Sequence, residues 1–239
     1  MTTLELHLQK KNKSAPVQFR VKKMINAGYV GRDTSAVKAH IDELQREGVS
    51  PPPSVPMIFP VLSQNITTSD RIEVLGNKTS GEAEYVLLLE GDRLYVGVGS
   101  DHTDRDLETY SIVHSKQVCH NVMSANVWDY SDIQDYWDEL VIQSWVKTGV
   151  FEEEILYQKA SLGTIISAED LIALGLFSPG PSPYSPVKWY TVIIFAANSL
   201  IPEQGHPLPV NTESNQWTIS KVKSFDKAIV PFSSKIFTP

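Results

Sequence analysis

The chain has 239 residues, of which 41% are hydrophobic and 21% charged, and this composition is ordinary for a soluble globular protein. The net charge of −7 argues against a nucleic-acid partner, because an acidic surface repels phosphate backbones. No apolar run approaches the roughly 20 residues that a membrane span needs. Cys119 is the single cysteine, so an internal disulfide is excluded, and we expect a small semi-buried side chain in a cytoplasmic protein.

The N-terminal part changes from a strand pattern to a helical one. Residues 4–8 and 17–21 alternate apolar and polar side chains, which predicts two strands of an opening hairpin. Residues 35–48 carry apolar side chains at helical spacing, and Asp33 or Thr34 can cap the first turn. We therefore expect a helix after the first strands.

His40 and Glu43 are three residues apart on this predicted helix, so they are neighbours on one face. A pair at this spacing is more often part of a solvated helix face than a catalytic dyad. The spacing alone leaves both interpretations open.

Three carboxylates stand out in the central stretch, residues 80–116. Glu82 and Glu84 are two residues apart, so on a strand their side chains point the same way. Asp101 follows the second of two apolar runs, which Glu90-Gly91-Asp92 joins in a hairpin-like turn. If the hairpin folds back, Asp101 comes close to the glutamate pair. Converging carboxylates repel one another unless a cation lies between them, which predicts a divalent-metal site.

The remaining elements are short and mostly strand-like. Residues 127–140 carry aromatic and aliphatic side chains at helical spacing, which predicts an amphipathic helix whose aromatic face belongs to the core. Residues 178–186 are rich in proline and indicate a loop or linker. Many short strands and few helices predict a β-rich α+β fold.

Seven short elements occur in an order that resembles the fumarylacetoacetate hydrolase superfamily, and in particular a compact branch known as a domain of unknown function. They are Gly31-Arg32, His40 with Glu43, Pro56-Met57-Ile58-Phe59, Glu82-X-Glu84, Asp101-X-Thr103-X-Arg105-Asp106, Ser115-Lys116 and Leu156-Tyr157-Gln158. Each element alone is weak, but the ordered set covers roughly residues 20–175.

This resemblance implies a mixed β-roll fold, a homodimer and a metal-dependent active site. The metal, Mg²⁺ or else Mn²⁺ or Ca²⁺, would be held by the carboxylates of Glu82, Glu84 and Asp101. His40 and Glu43 would orient or deprotonate a water molecule, and Lys116 would bind substrate and stabilise developing negative charge. The chemistry agrees, since Mg²⁺ prefers oxygen ligands and polarises carbonyl groups.

The resemblance further implies a small carbonyl substrate, a 2-oxo acid or a 1,3-dicarbonyl acid. The reactions of the superfamily include C–C bond hydrolysis, decarboxylation, hydration and keto-enol isomerisation, all through an enolate. The candidate substrate-binding residues are Arg32, Arg105, Gln158 and Asn198.

The sequence also departs from its relatives. Only 16 residues separate Glu84 from Asp101, where the superfamily usually carries a long helical insertion. Glu108 stands where a glutamine is common, and residues 195–199 lack the Gly-Thr turn that contacts a substrate carboxylate. We expect one domain over residues 1–239, with a hairpin at 1–22 and a divergent part at 178–239.

These departures leave two further functions open. The first is a biosynthetic cyclase or isomerase on the same scaffold, with a larger apolar substrate. The second is a binding relative without catalytic activity.

Overall fold

Strands dominate the chain, and its helices are few and short. The computed structural model describes residues 2–11, 13–46, 48–76, 78–148, 155–177, 191–196, 215–220 and 233–237. Its strands are β1 Thr2–Lys10, β2 Lys13–Val21, β3 Lys23–Gly28, β4 Met57–Val61, β5 Ile66–Thr67, β6 Arg71–Glu73, β7 Thr79–Ser80, β8 Glu84–Glu90, β9 Arg93–Asp101, β10 Thr103–Asp104, β11 Asn121–Met123, β12 Asn126–Asp129, β13 Val141–Thr148, β14 Ile155–Ser161, β15 Thr191–Ala196, β16 Asn215–Ser220 and β17 Ser233–Phe237. The α-helices are α1 Thr34–Arg46, α2 Arg105–Glu108, α3 Ile112–Ser115 and α4 Ala168–Phe177.

A ten-stranded mixed sheet forms the centre of the described fold. Its main path runs β2-β1-β12-β9-β8-β15-β3-β4, with β11 beside β9 and β5 beside β11. The pairs β1–β12 and β15–β3 are parallel, whereas β8 pairs antiparallel with both of its neighbours. A five-stranded sheet, β14-β13-β16-β17-β6, and the small pair β10-β7 complete the described strands. This architecture confirms the predicted β-rich α+β fold.

The β8–β9 hairpin has the turn that the sequence predicts. Glu90 pairs with Arg93, so Gly91 and Asp92 form a two-residue loop. Gly91 has φ of 61°, in the left-handed region that such turns require. At the other end Glu84 pairs with Gly99, so the strand continues to Asp101 beside the residues that precede Glu84.

The central sheet is buried on both faces. Val86 and Leu88 of β8 belong to a cluster that includes Phe19 and Phe195. Tyr85 and Leu87 belong to a different cluster, which also takes in Trp137 and the residues around α4. Successive side chains of a strand point to opposite faces, so β8 contributes side chains to two hydrophobic cores, one on each face of the sheet. This double burial makes β8 and β9 a rigid base for the carboxylates at their ends.

The first helix begins and ends as the sequence predicts. Oδ1 of Asp33 accepts hydrogen bonds from the backbone N–H groups of Ser35 (2.9 Å) and Ala36 (3.2 Å), so Asp33 is the cap. After α1, Gly48 takes φ of 95°, a conformation that favours glycine and stops the helix. The predicted opening hairpin also forms, since β1 and β2 pair antiparallel along their whole length.

The predicted amphipathic helix at 127–140 is wrong. This segment continues β12 to Asp129 and then forms two 3₁₀ turns, Tyr130–Asp132 and Gln134–Glu139. Asp129 accepts a hydrogen bond from the backbone of Ser131, and Tyr136 (φ −128°) breaks the helical path. Side chains at i and i+3 align in a 3₁₀ helix, so the apolar spacing fits 3₁₀ turns as well. The aromatic face does belong to the core, with Trp137 5% exposed.

Most of the predicted divergent part at 178–239 lies outside the described residues, including the proline-rich segment 178–186 and Asn198. Within it the structure describes β15, β16 and β17, and β15 lies inside the central sheet between β8 and β3. Among the helices that the structure describes, none has the length and apolar composition needed to span a membrane.

Candidate metal centre

Three carboxylates meet at the end of the β8–β9 hairpin. One carboxylate oxygen from each of Glu82, Glu84 and Asp101 lies within 4.8 Å of the other two. Glu84 is 2% exposed and Asp101 4% exposed, whereas the Glu82 side chain keeps 23% of its surface exposed, so the cluster opens to solvent on the Glu82 side. A side chain at Gly99 would collide with the carbonyl of Val122 at 2.5 Å, so glycine allows the close packing of strands beside Glu84. The structure thus brings together the three predicted ligands.

The cluster fits a hard divalent cation. Oε2 of Glu84 is buried and has no hydrogen-bond partner among the described residues. Burial and the neighbouring Asp101 carboxylate raise the pKa of Glu84 well above its usual range. An orphaned oxygen in an all-carboxylate donor set is what Mg²⁺, Mn²⁺ or Ca²⁺ would satisfy, because these ions prefer oxygen ligands. Neutralisation by such an ion would also relieve the repulsion between the carboxylates.

Asp101 is held by one buried amide, which a second amide supports, and by a cation. Its Oδ2 atom accepts a hydrogen bond from Nδ2 of Asn26 at 3.2 Å and another from Nζ of Lys116. Oδ1 of Asn26 in turn accepts from Nδ2 of Asn121 at 2.9 Å. Burial raises the pKa of Asp101, whereas the Lys116 ammonium lowers it. Both of these hydrogen bonds reach the same oxygen, Oδ2, so they fix the orientation of the carboxylate that would help to hold the ion.

Lys116 reaches the cluster from the end of α3. Its ammonium lies 5.8 Å above the ring centre of Phe59, within the range of a cation–π contact. Burial lowers the pKa of Lys116, but Asp101, Glu108 and Glu84 outweigh it and raise the pKa, so the side chain stays protonated. Gly28 leaves room for the ring of Phe59, because a Cβ atom at residue 28 would come within 2.9 Å of that ring.

Arg105 joins two carboxylates at the start of α2. Its guanidinium donates to Glu108 at 2.7 Å and to Glu82 at 3.1 Å, while Nε donates to Oγ of Ser80 at 2.6 Å. Burial raises the pKa of Glu82, but Arg105, Lys116 and His40 together lower it below its usual value. Glu82 is therefore ionised, whereas the pKa of Glu84 is shifted in the opposite direction. The predicted role of Arg105 in substrate binding stays a prediction.

His40 and Glu43 lie on α1 beside this cluster. Nδ1 of His40 is 3.7 Å from Oε2 of Glu43, which is longer than a hydrogen bond. The ring of His40 is 6.4 Å from that of Tyr29, centre to centre. Tyr29 is a residue that the sequence reasoning missed: it is 8% exposed and has φ of 60° without being glycine. Local backbone strain of this kind is concentrated at functional sites.

The other predicted substrate-binding residues have structural partners. Oε1 of Gln158 accepts hydrogen bonds of 2.8 Å from the backbone N–H of Ala83 and from Oγ of Ser144. Gln158 thus holds the segment between the two glutamates. Arg32 makes a two-pronged ion pair with Asp138, with both distances 2.8 Å. Their roles toward a substrate stay predictions, and Asn198 lies outside the described residues.

Residues missed by the sequence reasoning therefore include Tyr29, Asn26, Asn121 and Phe59. Phe59 belongs to the Pro56-Met57-Ile58-Phe59 element, whereas Asn26 and Asn121 carry no recognisable spacing. The sequence offers one signal for Asn26 and Tyr29, which is that they lie within five residues of the Gly31-Arg32 element.

Residues 27–180 match the family described as "Protein of unknown function (DUF2848)". Among curated proteins, no sequence matches the chain.

Solved structures share the fold at low sequence identity. One is a 2-keto-3-deoxy-D-arabinonate dehydratase complexed with magnesium and 2,5-dioxopentanoate, with a TM-score of 0.58, 14% identity, and coverage of 96% of this chain and 78% of the dehydratase. Another is a 5-carboxymethyl-2-hydroxymuconate delta-isomerase from Mycobacterium smegmatis, with a TM-score of 0.54, 12% identity, and coverage of 96% and 86%. At these identities the likeness shows the fold alone.

Proposed function

The chain belongs to the DUF2848 family, and we propose that it is a divalent-metal-dependent enzyme of the fumarylacetoacetate hydrolase superfamily. Its substrate would be a small 2-oxo acid or 1,3-dicarbonyl acid, and its chemistry that of a hydrolase or lyase. The observation that carries the proposal is the convergence of Glu82 with the buried Glu84 and Asp101, with the orphaned Oε2 of Glu84 among them.

Glu82, Glu84 and Asp101 would hold the ion, which the chemistry of their oxygen donors suits. A divalent ion at this position would polarise a substrate carbonyl and stabilise the negative charge of an enolate. The protein groups around it are already fixed: Arg105 orients Glu82, and Asn26 orients Asp101. Such preorganisation costs no rearrangement during the reaction.

Lys116 supplies the second positive charge. Its ammonium lies between Asp101 and the ring of Phe59, so it is held at the edge of the carboxylate cluster. Because Lys116 is protonated, it can donate a hydrogen bond to an oxygen on which negative charge develops. Lys116 is largely buried, so this interaction is stronger than it would be in water, because the local dielectric is low.

His40 would act as the general base that accepts a proton during the reaction. Its Nδ1 faces Glu43, which leaves Nε2 as the nitrogen that accepts a proton from water or substrate. The Glu43 carboxylate stabilises the imidazolium that results, as opposite charges at this distance attract. The present distance of 3.7 Å is long, and hydrogen bonds of this kind commonly tighten when a substrate is bound.

The solved relatives support the substrate class. The dehydratase structure holds magnesium together with 2,5-dioxopentanoate, which is a 2-oxo acid. The delta-isomerase is named for a substrate whose reaction interconverts enol and keto forms. A 2-oxo acid gives an enolate when it loses a proton beside its carbonyl group, and the carboxylate cluster with its ion and Lys116 would suit that chemistry.

Calorimetric titration with Mn²⁺ and Mg²⁺ tests the metal centre. We expect the wild-type protein to bind either ion and Glu84→Gln to bind far more weakly. The loaded protein is then assayed against a panel of 2-oxo acids and acylpyruvates. Turnover of any of them supports an enzyme. Metal binding with no turnover across the panel would favour the binding relative or the cyclase, and no metal binding would overturn the proposal.

A further inference from the structure

Glu108 is a buried carboxylate that the metal cluster does not use. It ends α2 and is 9% exposed. Its Oε2 atom accepts a hydrogen bond of 2.7 Å from Arg105, whose other terminal nitrogen donates to Glu82 at 3.1 Å. One guanidinium therefore separates a predicted metal ligand from a carboxylate that lies outside the cluster.

The negative charge of Glu108 also acts on two groups beside the carboxylate cluster. Burial raises the pKa of the Tyr29 phenol, and the Glu108 carboxylate is the next largest cause. The same carboxylate helps to raise the pKa of Lys116, after Asp101. Tyr29 and Lys116 therefore both feel the negative charge of Glu108, and the ion pairs of Arg105 put that charge one guanidinium away from Glu82.

The charges of the described residues leave little room for a second anionic group. Four carboxylates meet here, from Glu82, Glu84, Asp101 and Glu108, and two permanent cations, from Arg105 and Lys116. Each cation is already in an ion pair, Arg105 with Glu82 and Glu108 and Lys116 with Asp101. A bound divalent ion balances the two remaining negative charges. One substrate carboxylate can chelate that ion, and a second one would add a negative charge to a site whose charges the ion has just balanced.

We propose that Glu108 is a specificity-determining residue that excludes dicarboxylates and selects 2-oxo acids with a neutral, hydroxyl-bearing far end. This inference rests on the proposed function. Oε2 of Glu108 is committed to Arg105, while Oε1 can accept a hydrogen bond from a hydroxyl group. A carboxylate in the same place would be repelled in a poorly solvated space, and such repulsion is an effective source of specificity.

The test compares two ligands of equal length, 2-oxoglutarate and 5-hydroxy-2-oxopentanoate, on the Mn²⁺-loaded full chain. Calorimetry gives the affinity of each for the wild type and for Glu108→Gln. We expect the wild type to prefer the hydroxy acid by about tenfold or more, because like charges brought together cost several kcal/mol. In Glu108→Gln the preference should shrink or invert, chiefly because 2-oxoglutarate gains affinity.

The matched control is Asp106→Asn. Asp106 lies on the same helix, is exposed and pairs with Lys78 at 3.0 Å, so this variant removes one charge from α2 outside the site. It should keep the wild-type ratio. Equal binding of the two ligands by the wild type, or an unchanged ratio in a folded Glu108→Gln, overturns the role of Glu108 while leaving the proposed function standing. Binding of Mn²⁺ but of neither ligand overturns both the proposed substrate class and this inference. If Glu108→Gln does not fold, the wild-type ratio decides.

Discussion

Nδ2 of Asn26 donates a hydrogen bond of 3.2 Å to Oδ2 of Asp101, although β3 and β9 are three steps apart in the central sheet. The contact exists because the sheet curls, so the ends of β3 and β9 approach each other across β8 and β15. Asn121 on β11 extends the link by donating to Asn26 at 2.9 Å. The orientation of Asp101 therefore depends on this long-range contact within the sheet as well as on Lys116.

Asn26→Ala should weaken Mn²⁺ binding about 10- to 100-fold, because groups that hold a metal ligand in place contribute on this scale. The measurement is calorimetric titration of the folded variant. Asn65→Ala is the matched control, since Asn65 donates to the carbonyl of Gln117 at 2.7 Å outside the cluster. It should keep the wild-type affinity. Equal Mn²⁺ affinity in Asn26→Ala would show that the amide does not orient Asp101.

Local chemistry made part of this site predictable. The turn at Gly91, the alternating runs on either side of it and the two-residue spacing of Glu82 and Glu84 are all signals of short range. They were enough to predict that Asp101 returns to the glutamates. The helix α1 could be predicted equally well, because the residue that caps it, Asp33, and the residue that ends it, Gly48, both lie next to the helix in the sequence.

The pairing of strands that are distant in the chain could not be predicted from the sequence. Nothing in residues 23–28 or 191–196 indicates that β3 and β15 pair in parallel, and the link from Asn26 to Asp101 depends on that pairing. The prediction of a helix over residues 127–140 was wrong for a different reason. The apolar spacing of this segment suits both an α-helix and 3₁₀ turns, and the choice was made by the packing of Trp137 edge-on against Tyr85.

Metal binding should release a proton from Glu84. Burial and Asp101 hold the pKa of Glu84 well above its usual range, so without metal the folded protein keeps a proton that the unfolded chain has lost. The contribution to stability is full below the unfolded pKa and is lost as pH rises through the folded pKa. Over that same window Mg²⁺ affinity should rise, because the ion displaces the proton. Titrations in two buffers of different ionisation enthalpy measure the proton count.

In Glu84→Gln, titrated with enough Mg²⁺ to saturate its weaker site, the proton release should vanish, because an amide has no proton to lose in this range. Identical proton release in the wild type and in Glu84→Gln would mean that another group titrates. A wild-type affinity for Mg²⁺ that is independent of pH would contradict a protonated Glu84 outright.

Gly99→Ala should destabilise the fold and the metal centre together. The added methyl group would meet the carbonyl of Val122 at 2.5 Å and the ring of Phe195 at 2.6 Å, and neither can move freely. Overpacking of this kind costs about 1–3 kcal/mol or more, to be measured by urea unfolding. Gly76→Ala is the control, because no atom lies within 4 Å of its added methyl group. If both variants unfold at the same urea concentration, an added methyl group at residue 99 is tolerated, which contradicts the close packing around Gly99.

His40→Ala should separate proton transfer from metal binding. His40 lies beside the cluster but is not one of the three converging ligands, so Mn²⁺ affinity should be unchanged. If His40 is the base, kcat for a 2-oxo acid that the wild type turns over should fall about 10²- to 10⁴-fold. Lys38→Ala is the control on the same helix, where Lys38 is exposed and pairs with Asp42 at 3.0 Å. It should keep the wild-type kcat, since its charge lies on the solvated side of α1. A His40→Ala variant with full kcat would remove His40 from the mechanism, whereas a loss of both kcat and Mn²⁺ affinity would mean that α1 supports the metal site itself.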